Sequence, residues 1–409
     1  MKEFFKVLDI EQVLDLLPQF QPVEVEPVDL EAAGGRVLAE DVFADENLPD
    51  FARSTVDGYA LRAASTFGAS EASPAFFRVI GAVAMGEAAR MPISSGEAVR
   101  IATGGMLPSG ADSVVMIEHA EALDETDIEV LRSVAPGQNL ITVGEDFEAG
   151  ARIAASGRRL RPQDMGVLAA FGRTWIQAFR RPVVGIISTG DELVPIDAVP
   201  APAQVRDVNS YTLAGLVAET GAISKRFGII NDDFSSLYAA CARALKCCDM
   251  VLISGGSSVG VRDYTVEAIS AFSGSEILVH GIAISPGKPT ILARVGCKAI
   301  WGLPGHVVSA MIVFTRITRP FLRHIGGQRD PKSADVSITA RLRRNVASVQ
   351  GRTDFIRVRL LRHGGELWAE PVLGKSGLIN TMVHADGMVE IGKDIEGLEE
   401  GTPADVILF

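Results

Sequence analysis

The stretch Met250–Tyr264, MVLISGGSSVGVRDY, decides the fold of this chain. Its four leading residues are apolar and predict a strand that is buried on both faces. The strand runs into a Gly/Ser turn that ends at Gly260, before a predicted helix. Such a turn offers backbone N–H groups and hydroxyls at the carboxyl edge of a sheet, and this arrangement suits an anion such as phosphate. The stretch therefore predicts an α/β sheet with an anion site at its edge.

Two other interpretations of the turn were weighed. Glycine in a tight turn can simply supply positive φ, with no role in binding. The spacing of Gly255 and Gly260 resembles a Walker A loop, but Val261 and Arg262 stand where that loop needs Lys and Ser/Thr. A P-loop is therefore excluded, and the chain has no GxGxxG motif either.

Strands and helices alternate on both sides of this stretch, which predicts a parallel sheet with helices on both faces. The predicted strands are Val183–Ile187, Ile223–Ile230, Met250–Ile253, Ile277–Ile284 and Ala299–Leu303. The predicted helices lie around Leu213–Val217, Leu237–Leu245, Val266–Phe272 and Val307–Leu322.

Five polar segments each follow one of these strands. They are Thr189–Glu192, Asn231–Asp233, Ser254–Asp263, the turn Ser285–Pro289 that presents Lys288, and Pro304–His306. In an open α/β sheet, ligands bind beyond the carboxyl ends of the strands. Independent segments that converge on one edge favour a binding site over a purely structural role.

The rest of the chain predicts other domains. Short apolar helices are expected at Ile10–Leu17, Leu30–Ala39 and Met165–Phe171, so residues 1–47 and 143–181 read as a helical domain. Residues 48–142 read as an inserted β-rich domain, and residues 329–409 as a small C-terminal β-barrel. Residues 182–328 form the α/β domain. The predicted fold class is therefore a multidomain α/β plus β protein.

Composition limits the partners. The chain has 409 residues, a net charge of −12 and a pI near 5.1, which argues against nucleic acid or an anionic membrane as the main partner. No apolar run approaches the length of a membrane span, and the amphipathic N-terminus is not a signal peptide. Four cysteines without a CxxC pair suit a reducing compartment, so a cytoplasmic protein is expected.

Two further segments are rich in functional groups. Leu48–Arg62, LPDFARSTVDGYALR, reads as a site segment, with a solvated loop as the alternative. Thr103–Asp112, TGGMLPSGAD, is a second Gly-rich loop that follows a strand. In the C-terminal domain, Ser376 lies in a Gly-flanked turn, and Arg352 and Arg357 lie on or beside a strand.

Taken together, these motifs resemble the MoeA family of molybdopterin molybdenumtransferases, which includes the E domain of gephyrin. The resemblance rests on the segments above, on Val99–Glu118, and on ISTGDEL (187–193), GLPGHVVSA (302–310) and SGLINTMVHADG (376–387). It spans essentially the whole chain. It implies an elongated four-domain homodimer with shared active sites that inserts molybdate into adenylylated molybdopterin, with Mg²⁺, and releases AMP. The molybdopterin adenylyltransferase is a possible partner.

The resemblance also implies roles for individual residues. The catalytic candidates are Asp57, Thr103, Asp146, Glu192, Asp232 and Asp263. Asp57, Glu192 and Asp263 are the candidate metal ligands. The substrate-binding candidates are Ser188, Thr189, Ser254, Gly255, Gly256, Ser257, Ser258, Lys288, Pro304, Gly305, His306, Ser376, and either Arg352 or Arg357.

This chain departs from the family at two points. His306 and Val307 replace Asn-Pro after Pro304 and Gly305, and Val56 replaces a Met. The lost proline frees an N–H and is expected to loosen the turn, which leaves a tungstate preference open. The rival functions are adenylyl transfer from ATP, which lacks a P-loop here, and a non-catalytic pterin-binding or scaffold module.

Overall fold

The computed structural model describes residues 7–255, 264–332 and 335–409. The chain divides into two compact units. The first contains residues 1–40, 156–161 and 175–409, and the second contains residues 41–155 and 162–174. Within the described part of the chain, no helix is long and apolar enough to cross a membrane.

A six-stranded sheet forms the centre of the first unit. Its strands in spatial order are Ile223–Ile230, Val183–Thr189, Met250–Ser254, Lys298–Leu303, Ile291–Val295 and Ser275–His280. The first four strands are parallel. Ile291–Val295 runs antiparallel to both of its neighbours. The predicted sheet is thus confirmed with one correction, because it is mixed rather than wholly parallel.

The antiparallel strand was missed because its turn is very short. Val295 pairs with Lys298, so only Gly296 and Cys297 connect the two strands. Gly296 has φ +60, as a two-residue hairpin turn requires. The predicted strand Ile277–Ile284 was also too long, since it ends at His280 and only Ile284–Ser285 resumes as a strand.

The central strand Met250–Ser254 is buried on both faces, as predicted. Met250 and Leu252 pack into one hydrophobic core, whereas Val251 and Ile253 pack into another on the opposite face. Successive side chains of a strand point to opposite faces, so an unbroken apolar run is what such a position needs. Helices cover both faces, at Asn209–Glu219, Phe234–Cys247, Tyr264–Ser270, Val307–Val313 and Arg319–Ile325.

The predicted helix Val307–Leu322 contains a π-helical turn at Phe314–Thr318. The turn lies just before Pro320. A proline inside an α-helix lacks the N–H donor and collides with the carbonyl four residues earlier, so a widened turn at this point relieves the clash. The helix therefore continues to Ile325.

The C-terminal β-barrel is confirmed. Its five strands are Ser337–Leu342, Thr353–His363, Glu366–Pro371, Gly387–Ile391 and Pro403–Leu408. The sheet closes because Thr353–His363 pairs with both Glu366–Pro371 and Gly387–Ile391. The short strand Ile284–Ser285 from the α/β region adds to the start of Thr353–His363. The barrel is therefore joined to the segment that precedes Lys288.

The N-terminal segment contains less helix than expected. Helix Ile10–Leu14 is followed by a three-stranded sheet of Val25–Asp29, Trp175–Phe179 and Val37–Leu38. The predicted helix Leu30–Ala39 is wrong, because only Leu30–Ala32 forms a 3₁₀ turn. Gly35 has φ +72, which a continuing right-handed helix does not allow.

The second unit is rich in strands, as predicted for most of its length. Its main sheet contains Ser113–Met116, Gly58–Leu61, Glu97–Ile101, Ala75–Val83, Asp127–Val130 and Ala120–Ala122, in that spatial order. Two short strand pairs join Arg53–Ser54 to Leu140–Ile141 and Val42–Phe43 to Arg152–Ala154. The helix Pro162–Ala170 belongs to the same unit.

Candidate functional site

A cavity of about 770 Å³ lies at the carboxyl edge of the α/β sheet. Its volume is within the range of small-molecule sites. It brings together eleven of the predicted residues, namely Ser188, Thr189, Glu192, Ser254, Gly255, Lys288, Pro304, Gly305, His306, Arg352 and Ser376. The last two come from the C-terminal domain. Segments that are far apart in sequence therefore converge because their strands end at one edge.

Two of the predicted hydroxyl groups hold acids in place. Ser188 Oγ donates to Asp207 Oδ2 at 2.8 Å, and the other oxygen of that carboxylate accepts from Ser210 N–H at 3.1 Å. Thr189 Oγ1 lies 3.2 Å from Asp232 Oδ1, to which it donates. Both hydroxyl-bearing residues are almost fully buried. Their hydrogen bonds support the edge of the sheet, and Asp232 itself is not part of the cavity wall.

Asn209 was missed by the sequence analysis. Its Nδ2 donates to Ser254 Oγ at 2.7 Å and to the Gly305 carbonyl at 2.7 Å. One amide thus connects the ends of two parallel strands across the cavity floor. Asp207 and Asn209, at the start of the helix Asn209–Glu219, were the available signal. Arg206, Asp207 and Ser309 also line the cavity and were also missed.

The structure explains the glycine at 255. Gly255 has φ +106, and a Cβ at this position would lie 2.0 Å from the Thr189 carbonyl oxygen. Its N–H donates to the Leu303 carbonyl at 3.4 Å, so this N–H is not free for an anion. The other members of the predicted cradle, Gly256, Ser257 and Ser258, lie outside the described residues, as does Asp263.

Gly255→Ala is expected to destabilise the fold by about 2 kcal/mol or more, because it combines a backbone clash with an unfavourable positive φ. Gly305→Ala is the matched control. A Cβ at Gly305 meets only the Gly255 Cα, at 3.7 Å, which is an ordinary contact. Urea unfolding measures both variants. Equal stability of the two would contradict this explanation of Gly255.

Lys288 is held on a rigid turn, with its side chain exposed. The Lys288 carbonyl accepts from Ile282 N–H at 3.0 Å and from Thr290 N–H at 2.8 Å. Thr290 is buried, and its hydroxyl donates to the Gly287 carbonyl at 2.6 Å. Among the residues that the structure describes, no hydrogen bond or ion pair engages the Lys288 ammonium. The turn therefore fixes the backbone and leaves the charge available to a ligand.

The two candidate arginines differ in position. Arg352 lines the cavity and pairs with Asp354, with Nε 3.0 Å from Oδ1. Arg357 is 7% exposed, and its guanidinium donates to the carbonyls of Val372 and Gly374. Burial lowers the pKa of Arg357. Arg352 is therefore placed to contact a ligand, whereas Arg357 supports the turn that carries Ser376.

His306 and Ser376 meet across the cavity. The distance from Ser376 Oγ to His306 Nδ1 is 2.9 Å. The Ser376 carbonyl also accepts from Val308 N–H at 3.1 Å. Together with the Asn209 amide on Gly305, these bonds hold the Pro304–His306 turn. Val307 is the first residue of its helix, where a free N–H is normal.

Asp57 and Thr103 also meet, in the second unit. Asp57 Oδ1 accepts from the Thr103 N–H at 2.7 Å and from its hydroxyl at 3.0 Å. The backbone hydrogen bond from Thr103 is the main reason that the pKa of Asp57 lies below its usual range. The carboxylate is exposed and stays ionised at neutral pH. Asp146 is exposed as well, and its N–H donates to Leu48 at the start of the site segment.

Among the described residues, the carboxylates lining the cavity are Glu192 and Asp207. Asp207 is already occupied by Ser188 and Ser210. In the described ranges, no group of three or more His, Cys, Asp and Glu side chains is arranged to hold a metal ion. Glu192 alone suits Mg²⁺ bound mainly through ligand phosphates, because this ion takes one or two carboxylates plus phosphate oxygens and water.

The cavity presents cations in a protein whose net charge is −12. Among the described residues, its wall carries Arg206, Lys288 and Arg352 beside the carboxylates Glu192 and Asp207, and Arg352 is paired with Asp354. A cation such as Lys288, which the described residues leave unpaired, attracts anions locally. The fold and the cavity thus define a class of α/β protein that binds an anionic small molecule beyond the strand ends.

Comparison with known proteins identifies the family. Residues 8–172 match the family model described as the MoeA N-terminal region (domain I and II), and residues 339–409 match the MoeA C-terminal region (domain IV). Residues 185–324 match a probable molybdopterin binding domain. The chain belongs to the MoeA family.

Individual relatives cover nearly the whole chain. A putative molybdopterin biosynthesis protein of Methanocaldococcus jannaschii is 35% identical over 94% of this chain and 92% of its own length. The molybdopterin molybdenumtransferase of Bacillus subtilis is 32% identical over 94% of this chain and 90% of its own length. A crystal structure of the MoeA protein of Pyrococcus horikoshii, 37% identical, superposes with a TM-score of 0.80 over 98% of this chain and 99% of that one.

Proposed function

We propose that this protein inserts molybdate into adenylylated molybdopterin, with Mg²⁺-dependent release of AMP. As a member of the MoeA family, the chain is an enzyme of molybdenum cofactor biosynthesis, a molybdopterin molybdenumtransferase. The observation that carries the proposal is the cavity at the sheet edge, which presents the Lys288 ammonium and joins the α/β region to the C-terminal domain. A substrate with a phosphoanhydride and a tetrahedral oxyanion needs positive charge in such a place.

The proposed roles follow from the geometry. Lys288, on its fixed turn, neutralises charge that develops when the phosphoanhydride breaks. Arg352 offers a second cation from the C-terminal domain. Asn209 keeps the two strand ends in register, so that Ser254 and the Gly305 turn meet the substrate in a fixed arrangement. No nucleophilic side chain is needed, because molybdate and water are the reacting oxygen species.

Mg²⁺ would supply charge neutralisation on the phosphate oxygens. Glu192 is the proposed ligand in the cavity. Asp57 and Asp263 stay candidate ligands, and Asp146 and Asp232 stay candidate supporting acids. Asp232 is positioned by Thr189 beside the strand end.

One assay distinguishes the proposed function from the two rival functions. The protein is mixed with Mg²⁺ and molybdate, and with either adenylylated molybdopterin or ATP plus molybdopterin. The proposal expects AMP only from adenylylated molybdopterin, and only after molybdate is added. Consumption of ATP would identify an adenylyltransferase, and tight pterin binding without AMP would identify a sensor or scaffold. Tungstate in place of molybdate tests the metal preference.

The proposal includes a cytoplasmic homodimer with two shared active sites, and the molybdopterin adenylyltransferase as a possible partner. The proposal also keeps the division into four domains. The first consists of residues 1–47 together with 143–181, and the others are residues 48–142, 182–328 and 329–409. The proposed sharing of sites is motivated by the residues proposed for catalysis, which fall in both units of the chain.

Complementation tests the shared sites. Asp57→Asn and Lys288→Ala proteins, each inactive alone, are mixed and allowed to exchange subunits. One site of a mixed dimer then collects both lesions, and the other collects none. Random exchange makes half of the dimers mixed, so about a quarter of the wild-type AMP release is expected to return. Background activity, with exchange demonstrated by mass, would place each site within one chain.

A further inference from the structure

His306 contributes a titratable group at a position where the family usually has asparagine. Its ring is exposed to the cavity and lies against Gly377, where a Cβ would be 3.7 Å from His306 Cδ2. Its Nδ1 is 2.9 Å from Ser376 Oγ. The ring therefore makes its hydrogen bond to a hydroxyl that lines the same cavity, rather than to a buried group.

The direction of this hydrogen bond depends on the tautomer and on the charge of the ring, and a neutral ring with its proton on Nδ1 donates to Ser376 Oγ as the imidazolium does. A neutral imidazole whose proton is on Nε2 accepts at Nδ1, so the Ser376 O–H points at the ring and only lone pairs face the cavity. An imidazolium carries a proton on Nδ1 and donates it to Ser376 Oγ. The serine hydrogen is then released and can be donated to a ligand oxygen.

We propose that neutral His306 carries its proton on Nε2 and that His306 and Ser376 form a proton-controlled donor switch, in which protonation of His306 turns the Ser376 hydroxyl into a donor for a bound oxyanion. His306 is thus a positioning residue that acts through Ser376. The inference rests on the proposed function, because it assigns the ligand as the tetrahedral oxyanion of that reaction. Protonation strengthens oxyanion binding, and its loss at higher pH weakens it.

The other charged groups around the cavity allow the effect of His306 on molybdate binding to be measured separately. Among the described residues, the other charged groups that line the same cavity are Glu192, Arg206, Asp207, Lys288 and Arg352. Asp354 pairs with Arg352, and Lys375 directly precedes Ser376. They are carboxylates, lysines and arginines, types that ordinarily keep their charge between about pH 6 and pH 8.5. Histidine ordinarily titrates in that interval. A change in molybdate affinity across this pH interval is therefore attributed to the imidazole if the change disappears when the imidazole is removed.

The test measures molybdate dissociation constants by equilibrium dialysis at pH 6 and pH 8.5. The proteins are the wild type, His306→Asn, Ser376→Ala and the double variant. At each pH every protein is measured with molybdate in the same protonation state. The ratio of the dissociation constants of two proteins therefore does not depend on the titration of molybdate. The wild type is expected to bind about tenfold more tightly at pH 6 than at pH 8.5, as one charge-assisted hydrogen bond allows. His306→Asn is expected to lose this response.

Ser376→Ala separates the switch from simple charge attraction. It keeps the imidazole and the backbone bond from Val308 to the Ser376 carbonyl, but it removes the hydroxyl. Most of the pH response should disappear, and the double variant should match either single variant. A full response in Ser376→Ala, or in His306→Asn, overturns the switch. If the wild type binds molybdate with one affinity at both pH values, the switch alone fails. If it binds none, the proposed function fails as well.

Discussion

Lys288→Ala is expected to lower molybdate-dependent AMP release by about 100-fold or more, which is the usual cost of removing one group that stabilises charge in a transition state. The ammonium is free of protein partners among the described residues, and its turn is fixed by buried Thr290. The substitution therefore removes charge without changing the turn. AMP release under single-turnover conditions measures the effect.

Two controls make the result specific. Lys288→Arg retains a cation and should recover part of the activity. Lys246→Ala removes the same charge from the last turn of helix Phe234–Cys247, away from the cavity, and should retain activity. Equal losses in Lys246→Ala and Lys288→Ala would show that net charge matters, and not the position of Lys288.

Asp57→Asn is expected to reduce AMP release by at least about 100-fold, with little change in melting temperature. The asparagine Oδ1 can still accept both hydrogen bonds from Thr103, so the loop keeps its shape while the negative charge is lost. Among the described residues, the exposed carboxylate is bonded only to Thr103, which is also exposed, so the fold should lose little stability. Thermal unfolding and AMP release, measured on the same sample, separate the two effects.

Asp124→Asn is the matched control. Asp124 is also exposed, and its Oδ1 accepts from the N–H and hydroxyl of Thr126 and from Asp127 N–H. As with Asp57, a backbone hydrogen bond is the main cause of its lowered pKa. It differs in lying in a hairpin turn outside the family motifs. Full activity is expected, and a loss equal to that of Asp57→Asn would contradict a specific role for Asp57.

The lowered pKa of Asp57 fixes the sign of its pH dependence. Its bond to Thr103 favours the ionised form, so the resulting stability is present above the unfolded-state pKa of about 4 and is lost as pH falls through the folded value. Activity between about pH 6 and pH 8.5 should therefore show no titration of Asp57. Any ionisation seen in that range belongs to another group.

The sheet and the convergence on its edge were predictable because strong local signals carry them. The all-apolar strand Met250–Ser254 and the polar segments after each strand are visible in sequence, and topology then brings the strand ends together. The family motifs added Asp57 and Thr103, which the structure joins by two hydrogen bonds.

The errors have physical causes as well. The hairpin at Gly296 has a two-residue turn and leaves no loop to recognise. The free N–H expected at Gly255 is used by Leu303, because a local glycine pattern does not reveal which partner the tertiary structure supplies. Asn209 contacts Ser254 and Gly305, which lie 45 and 96 positions further along the chain. Spacing along the chain cannot show such contacts. The choice between Arg352 and Arg357 depended on which of the two side chains is buried, and the sequence does not show this either.

The most direct test of the proposed function is a stoichiometric one. Wild-type protein is loaded with adenylylated molybdopterin and Mg²⁺, molybdate is added, and both AMP and pterin-bound molybdenum are quantified over time. The account predicts that no AMP is released before molybdate, and that one AMP then appears for each molybdenum bound to pterin. AMP release without molybdenum transfer, or stable binding with neither product, would contradict it.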